Sequence, residues 1–150
     1  MIKTERLNIR VLSDDEMRKM LEKENDPEMK MAYGEMLSGA VEHPNERQWY
    51  AVWQIEDFAG QYIGDLCFKG LADRRVEIGY GILPEYRGCG YATEAVRAAV
   101  EWALEQIGVN AVEAETEKDN TSSQRVLEKV GFVPTGKFGE EGPRFIYSKR

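Results

Sequence analysis

A loop with two closely spaced glycines carries the clearest chemical signal in this sequence. It reads Pro84-Glu85-Tyr86-Arg87-Gly88-Cys89-Gly90-Tyr91-Ala92 and lies between a predicted strand and a predicted helix. The two glycines allow backbone angles that other residues avoid, so main-chain N–H groups can face outward. The start of the following helix adds the positive end of its dipole. These features predict an anion cradle suited to a pyrophosphate.

Other interpretations use the same residue types. A glycine-rich segment is by itself compatible with a plain turn. The loop glycines also match part of a dinucleotide-binding fingerprint, but Thr93 stands at its third position and the preceding strands form a meander. The segment 131–137 nearly matches a phosphate-binding P-loop, but Phe138 replaces the hydroxyl residue that would bind magnesium. Both nucleotide motifs therefore stand in the wrong context.

The residues around the loop predict the elements that position it. Before it, strand-forming runs at 52–58, 61–71 and 75–83 are joined by short turns and predict an antiparallel meander. After it, apolar residues at helical spacing from Ala92 to Ala103 predict an amphipathic helix. A strand follows at 111–116. The order strand, helix, strand predicts that the strands at 75–83 and 111–116 are parallel neighbours in the sheet.

The remaining segments complete a single α/β domain over residues 1–150. They are a strand at 7–12, a helix capped by Ser13, an irregular or partly helical connector at 28–42, a second helix from Pro44, a helix from Asn120 to Gly131, and hairpin strands at 132–138 and 143–149. The predicted order is β-α-α-β-β-β-α-β-α-β-β. It forms a mixed, mostly antiparallel sheet with one parallel pair.

Composition and charge narrow the class of protein. The chain has 150 residues, 42% of them apolar, and a formal charge of −7. That charge argues against nonspecific binding to nucleic acid, and it suits either a cationic partner or solubility alone. No stretch approaches the roughly 20 apolar residues of a membrane span, and the first residues lack a signal core, so we expect a cytoplasmic protein. Cys67 and Cys89 lack metal-ligand spacing, and no metal is expected.

The loop and its surroundings resemble the GNAT family of acetyl-CoA-dependent N-acetyltransferases. Arg87-x-x-Gly90-x-Ala92 matches the R-x-x-G-x-A signature that these enzymes carry between a strand and a long helix. The segment 77–85 and the block 120–132 are similar to the branch that contains the ribosomal-protein N-terminal alanine acetyltransferases. The resemblance implies that acetyl-CoA binds between two splayed parallel strands.

The same resemblance implies which residues contact acetyl-CoA. They are Ile82, Arg87, Gly88, Cys89, Gly90, Tyr91, Ala92, Asn120 and Ser123. Judged from the residues alone, Asn120 is equally suited to an N-cap, with Ser123 completing the cap network.

Acetyl transfer to an amine requires a base, because an ammonium group with a pKa of about 10.4 is almost wholly protonated at neutral pH. Glu77 is the first candidate for this catalytic role, since it precedes the loop on the strand that leads to the thioester. It is also suited to a structural pair with Arg74. Asp65 and Glu35 are the alternative bases.

The group that protonates the departing thiolate is less obvious. Many GNAT enzymes use a tyrosine in the helix after Asn120, but this chain has 126–128 as Val-Leu-Glu. Ser123 or water could act instead, or the thiolate could leave unassisted, given its modest pKa of about 8 to 9. Cys89 is better suited to filling a turn than to a covalent acetyl-enzyme, which favours direct attack.

The expected activity is transfer of acetyl to a primary amine of a small molecule or a protein N-terminus. The alternative is a non-catalytic sensor or scaffold that binds acetyl-CoA, because fold alone does not determine function. The resemblance also allows a homodimer.

Overall fold

The computed structural model describes residues 1–149, which fold around one eight-stranded sheet. The strands are β1 Ile2–Lys3, β2 Leu7–Val11, β3 Trp53–Asp57, β4 Tyr62–Ala72, β5 Arg75–Ile82, β6 Ala111–Glu115, β7 Val133–Phe138 and β8 Pro143–Ser148. The α-helices are α1 Asp14–Lys23, α2 Pro27–Glu42, α3 Tyr91–Glu105 and α4 Thr121–Val130. Short 3-10 helices span Pro44–Trp49 and Pro84–Tyr86.

The strands lie in the order β1-β2-β3-β4-β5-β6-β8-β7. Neighbours pair antiparallel except β5 and β6, which are parallel and are joined through α3. Their pairing covers only 75–77 against 111–113, although β5 continues to Ile82. The predicted mixed sheet with one parallel, splayed pair is therefore confirmed.

One face of the sheet is covered by α3. The helix buries Ala95, Val96, Ala99 and Val100 in a cluster that also contains Phe68. The alanines let the helix backbone approach the strands closely, and full burial of each valine contributes about 1.5 kcal/mol or more. This packing fixes the start of α3 beside the end of β5.

A second apolar cluster lies under α1 and α2 and includes Leu12, Met17 and Tyr33. Side chains alternate between the two faces of a strand. Leu66 and Tyr80 join the cluster beneath α3, so Asp65 and Gly81, one residue away on β4 and β5, point to the opposite face.

Two predictions about the N-terminal region were only partly right. The segment 28–42, predicted as an irregular or partly helical connector, is helical throughout and forms most of α2, which Asp26 caps and Pro27 begins. Only Tyr33 and Ala40 are buried in this helix, so its apolar spacing gives little periodic signal. The helix predicted from Pro44 is a 3-10 helix instead of an α-helix, with non-helical backbone angles at Glu46.

None of the helices within residues 1–149 combines the length and the apolar character needed to span a membrane.

Candidate functional site

The loop between β5 and α3 presents free backbone donors. Gly88 and Gly90 have positive φ angles of 77° and 80°, which other residues rarely adopt, and Gly90 is the N-cap of α3. The helices α1, α2 and α4 begin with side-chain caps from Ser13, Asp26 and Asn120. In the described part of the chain, no side chain caps α3. The first N–H groups of α3 are therefore free to bind an anion.

A cavity of about 650 Å³, here called the α3–α4 cavity, opens in front of these donors. Its walls are the end of β5, the glycine loop, the first turn of α3 and one face of α4. The charged side chains that line it are Arg87, Arg125 and Lys129, and no Asp or Glu of residues 1–149 lines it. The cavity is thus electropositive and matches a phosphate-bearing ligand.

The residues predicted to contact the cofactor line this cavity, except Cys89. Cys89 is exposed, and its Sγ lies 3.7 Å from the carbonyl oxygen of Arg87. Sequence reasoning missed the face of α4 formed by Ser122, Arg125, Val126 and Lys129. Their spacing of i, i+3, i+4 and i+7 places them on one side of the helix, a signal that was available in the sequence.

An ion pair holds the start of α3 against the first strands. Arg6 Nε lies 2.7 Å from Glu94 Oε1, and the Thr4 hydroxyl donates to Glu94 Oε2 at 2.5 Å. Arg6 also stacks over the ring of Tyr91, 4.3 Å from its centroid. Burial acts to raise the pKa of Glu94, but the Thr4 and Arg6 hydrogen bonds outweigh it and lower the pKa. No local pattern predicts this contact, because 88 residues separate its partners.

Tyr80 crosses the gap where β5 and β6 diverge. Its hydroxyl lies 2.7 Å from Ser123 Oγ on α4, and both residues line the α3–α4 cavity. Burial raises the pKa of Tyr80, while the Ser123 hydrogen bond acts to lower it, so the phenol stays protonated at neutral pH. The sequence did not point to Tyr80 as a proton donor, because the tyrosine of many GNAT enzymes lies on the helix after Asn120. In this protein the tyrosine hydroxyl comes from β5 instead.

A second cavity of about 690 Å³, the α1–α2 cavity, lies between α1, α2 and the β4–β5 strands. It shares Gly81, Ile82 and Arg87 with the α3–α4 cavity. The two cavities therefore meet at the end of β5. A Cβ atom on Gly64 would lie 2.1 Å from the carbonyl oxygen of Gly81, so the strands can approach this closely only with glycine at that position.

Asp65 is the most deeply placed carboxylate of the α1–α2 cavity. Its Oδ2 accepts hydrogen bonds from the hydroxyls of Tyr33, at 2.8 Å, and Tyr62, at 2.5 Å. Burial raises the pKa of Asp65 above its usual range, and nearby Glu24 acts in the same direction. The two tyrosine hydrogen bonds act to lower it without cancelling the burial effect.

Glu77, the first predicted base, is held in an ion-pair network. Its two carboxylate oxygens lie 2.7 Å from Arg144 and 3.0 Å from Lys69, and Arg144 also pairs with Glu115. It does not pair with Arg74, which lies in the tight turn between β4 and β5 with a φ of 63°. Neither Glu77 nor the exposed Glu35 lines either cavity. The catalytic role of Glu77 stays a prediction.

No group of three or more His, Cys, Asp or Glu side chains within residues 1–149 is arranged to hold a metal ion.

Comparison with known proteins determines the family. The family model of the acetyltransferase (GNAT) domain matches residues 4–133. This chain belongs to the GNAT family. The acetyltransferase is 28% identical over 155 residues to the uncharacterized N-acetyltransferase YoaA of Bacillus subtilis, covering 90% of this chain and 84% of that protein. It is 32% identical over 100 residues to the putative ribosomal N-acetyltransferase YdaF of the same organism, covering 63% of this chain and 55% of that protein.

Solved structures share the fold of this acetyltransferase. Spermidine N-acetyltransferase from Vibrio cholerae, in complex with CoA and spermine, aligns with a TM-score of 0.76 at 18% identity and covers 97% of this chain and 96% of that one. A GNAT-family acetyltransferase from Bacillus anthracis aligns with a TM-score of 0.69 at 22% identity, covering 99% and 96%. At these identities the likeness concerns the fold. Family membership makes the chain an acyltransferase of the N-acetyltransferase type, and the family uses acetyl-CoA as its acetyl donor.

The α3–α4 cavity fits such a donor. Three cationic side chains and the uncapped start of α3 are suited to phosphate groups. The edge of β5 beyond residue 77 is not paired with β6 and offers backbone groups to an amide-containing arm.

Proposed function

We propose that this protein transfers the acetyl group of acetyl-CoA to a primary amine of a small molecule or a protein N-terminus, by direct attack. The observation that carries the proposal is the junction of the two cavities at Gly81, Ile82 and Arg87. The donor enters through the α3–α4 cavity and the acceptor through the α1–α2 cavity. Their reacting ends then meet beside the last residues of β5.

Different residues of the α3–α4 cavity bind different parts of the donor. Arg125 and Lys129 on α4 and the N–H groups that open α3 bind phosphates, and Arg87 lies at the junction of the cavities. When bound, acetyl-CoA supplies an acetyl group activated as a thioester. Tyr80, hydrogen-bonded to Ser123, stands where it can donate a proton to the departing thiolate.

Neither cysteine favours a covalent acetyl-enzyme. Cys67 is buried, and burial raises the pKa of its thiol to about 11, so the reactive thiolate is scarce at neutral pH. Cys89 lines neither cavity. Direct attack by the amine needs no such nucleophile.

The α1–α2 cavity favours a small cationic amine over a bulky acceptor. It is concave, and its lining includes Glu16, Glu24 and Asp65. The cations Lys19, Lys23 and Arg87 also line it but are exposed to solvent, whereas Asp65 lies deeper. The solved neighbour from Vibrio cholerae is named as a spermidine N-acetyltransferase, which supports this class of acceptor.

The central test is titration of acetyl-CoA into the wild-type protein and the Gly90→Trp variant, followed by turnover with a panel of primary amines. A tryptophan at Gly90 fills the entrance of the α3–α4 cavity, and we expect acetyl-CoA affinity to fall by about 100-fold or more from a micromolar wild-type value. Gly136→Trp is the matched control. Gly136 has a similar positive φ, 81° against 80°, and open space around it, but it lies on β7 and lines neither cavity.

Each outcome has a clear consequence. Binding that only Gly90→Trp abolishes, together with acetylated product from at least one amine, supports the proposal. Equal loss in both variants would mean that backbone strain, not cavity blocking, explains the effect. Binding without turnover of any amine would favour the non-catalytic sensor instead.

A further inference from the structure

We propose that Asp65, held by Tyr33 and Tyr62, binds the ammonium group of the acceptor and removes its proton. This inference rests on the proposed function, because it assigns the base for the same reaction. Asp65 takes the role of base that was predicted for Glu77. The inference also implies that the acceptor is a cation when it enters the α1–α2 cavity.

The position of Asp65 fits the reaction. In the β4–β5 register Asp65 lies directly opposite Gly81, and Gly81 lines both cavities. Gly81 carries no side chain, and a Cβ built there meets no atom within 4 Å. The sheet surface beside the carboxylate is therefore unobstructed at Gly81, and Gly81 is one of the residues that also line the α3–α4 cavity.

The hydrogen bonds of Asp65 orient it and leave one oxygen for substrate. Both tyrosine hydroxyls donate to Oδ2. Within residues 1–149, no side-chain or backbone group donates to Oδ1. An incoming ammonium N–H can therefore donate to Oδ1 without displacing either tyrosine.

The charges around Asp65 favour a cationic ligand. The titratable groups that face it are Tyr33 from α2, Tyr62 and Cys67 from β4, and Glu24 at the end of α1. Its carboxylate makes no salt bridge within the described residues. A partly buried carboxylate with no cationic partner is unfavourable, and an ammonium ligand would compensate its charge. Its raised pKa also brings it closer to that of a useful base at neutral pH.

Glu77 lacks these properties. Both of its oxygens are already occupied by Arg144 and Lys69, so its charge is compensated inside the protein. A proton taken by Glu77 would have to break one of these pairs. We infer that Glu77 holds Arg144 and, through it, the β8 strand.

The proton balance of the step is complete. The ammonium R–NH₃⁺ gives one proton to Asp65 Oδ1, and its nitrogen lone pair then forms the N–C bond to the acetyl carbonyl carbon. The C–S bond breaks, Tyr80 donates its proton to the thiolate to give CoA-SH, and the second proton of the amine restores the Tyr80 hydroxyl. Asp65 returns its proton to solvent, so the net products are the amide, CoA-SH and one H⁺.

The test compares Asp65→Asn with Glu77→Gln, using the best acceptor of the amine panel at saturating acetyl-CoA. We expect Asp65→Asn to lower kcat/KM by about 10² to 10⁴-fold at pH 7. Its rate should rise about tenfold per pH unit up to the pKa of the amine, because only free amine reacts without a base. The wild-type profile should instead reach a plateau. Tyr62→Phe, which removes one donor and keeps the ring, should have a smaller effect.

Controls separate a chemical role from misfolding. Acetyl-CoA affinity should be retained in Asp65→Asn, and its melting temperature at pH 7 should not fall below that of the wild type. Glu22→Gln neutralises an exposed carboxylate that lines neither cavity and should leave kcat/KM unchanged. A wild-type pH profile in Asp65→Asn, or a greater loss in Glu77→Gln than in Asp65→Asn, would overturn the assignment.

A binding measurement distinguishes failure of this inference from failure of the proposed function. If no amine is acetylated, the CoA-loaded protein is titrated with 1,4-diaminobutane and with the neutral 1,4-butanediol. We expect Asp65→Asn to weaken diamine binding by about 10-fold or more, as for loss of a charged hydrogen bond, and to leave the diol unaffected. Equal diamine affinity in wild type and variant, including no binding to either, would refute the ammonium site.

Discussion

The two cavities that meet at the end of β5 differ in charge and in construction. The α3–α4 cavity is lined by cations and by the uncapped start of a helix. The α1–α2 cavity, reached from the opposite face of the sheet, carries charges of both signs, because Lys19, Lys23 and Arg87 line it together with three carboxylates. Of these carboxylates, the partly buried Asp65 makes no salt bridge within the described residues. In the proposed reaction, the anionic donor and the cationic acceptor would approach from opposite sides of the sheet without competing for the same groups. Their reacting ends would then come together beside Gly81, which lines both cavities.

The largest effect expected from the α3–α4 cavity concerns the partly buried hydroxyl pair of Tyr80 and Ser123. Tyr80→Phe should lower kcat by about 100-fold, at the low end for a general acid because the thiolate is already a good leaving group. Acetyl-CoA affinity should change little, since the ring stays in place. Steady-state kinetics with Ser123→Ala as the companion variant checks this. A greater loss in Ser123→Ala would make Ser123 the proton donor instead.

Charge reversal on α4 tests whether the cation-lined cavity binds the phosphates. Arg125→Glu or Lys129→Glu should each weaken acetyl-CoA binding by about 10-fold or more, as for loss of one charged hydrogen bond. The KM for the amine should stay near the wild-type value. Lys30→Glu, which changes an exposed lysine on α2 outside both cavities, is the matched control. Equal weakening by all three variants would indicate a general charge effect.

The smallest expected effect is on thermal stability, and it compares Asp65 of the α1–α2 cavity with Glu94 in the first turn of α3. The pKa of Asp65 is raised, so its charged form destabilises the fold above its folded pKa and the penalty disappears at low pH. Asp65→Asn should therefore raise the melting temperature at pH 7 by about 2–4 °C, and the gain should shrink towards pH 4. The pKa of Glu94 is lowered, so its contribution is present at neutral pH and lost as pH falls through its folded pKa.

Glu94→Gln should accordingly lower the melting temperature at pH 7, with the difference shrinking towards pH 3. Thermal melting of both variants across pH 3–8 measures the pair. Shifts of the same sign would contradict the view that one carboxylate is anchored and the other is left free for a ligand.

Much of the fold was predictable because its signals are local. The alternating strands, the Ser13 cap and the alanine-rich stripe of α3 each depend on residues a few positions apart. The helix α2 was predicted only as an irregular or partly helical segment, because its two glycines and weak apolar face give little helical periodicity. The ion pair between Glu77 and Arg144 could not be predicted from residues near Glu77 in the sequence, because Arg144 lies on β8, 67 residues away.

The sequence by itself determined the glycine loop of the proposed donor site. Gly88, Gly90 and the start of α3 are contiguous, and a backbone cradle depends on local angles that glycine alone makes favourable. Only the tertiary structure brought the face of α4 to this loop and assembled the proposed acceptor site. Tyr33 and Asp65 are 32 residues apart, and Tyr80 and Ser123 are 43 apart, so no local spacing relates them. Burial, which raises the pKa of Asp65, is likewise a property of packing between elements.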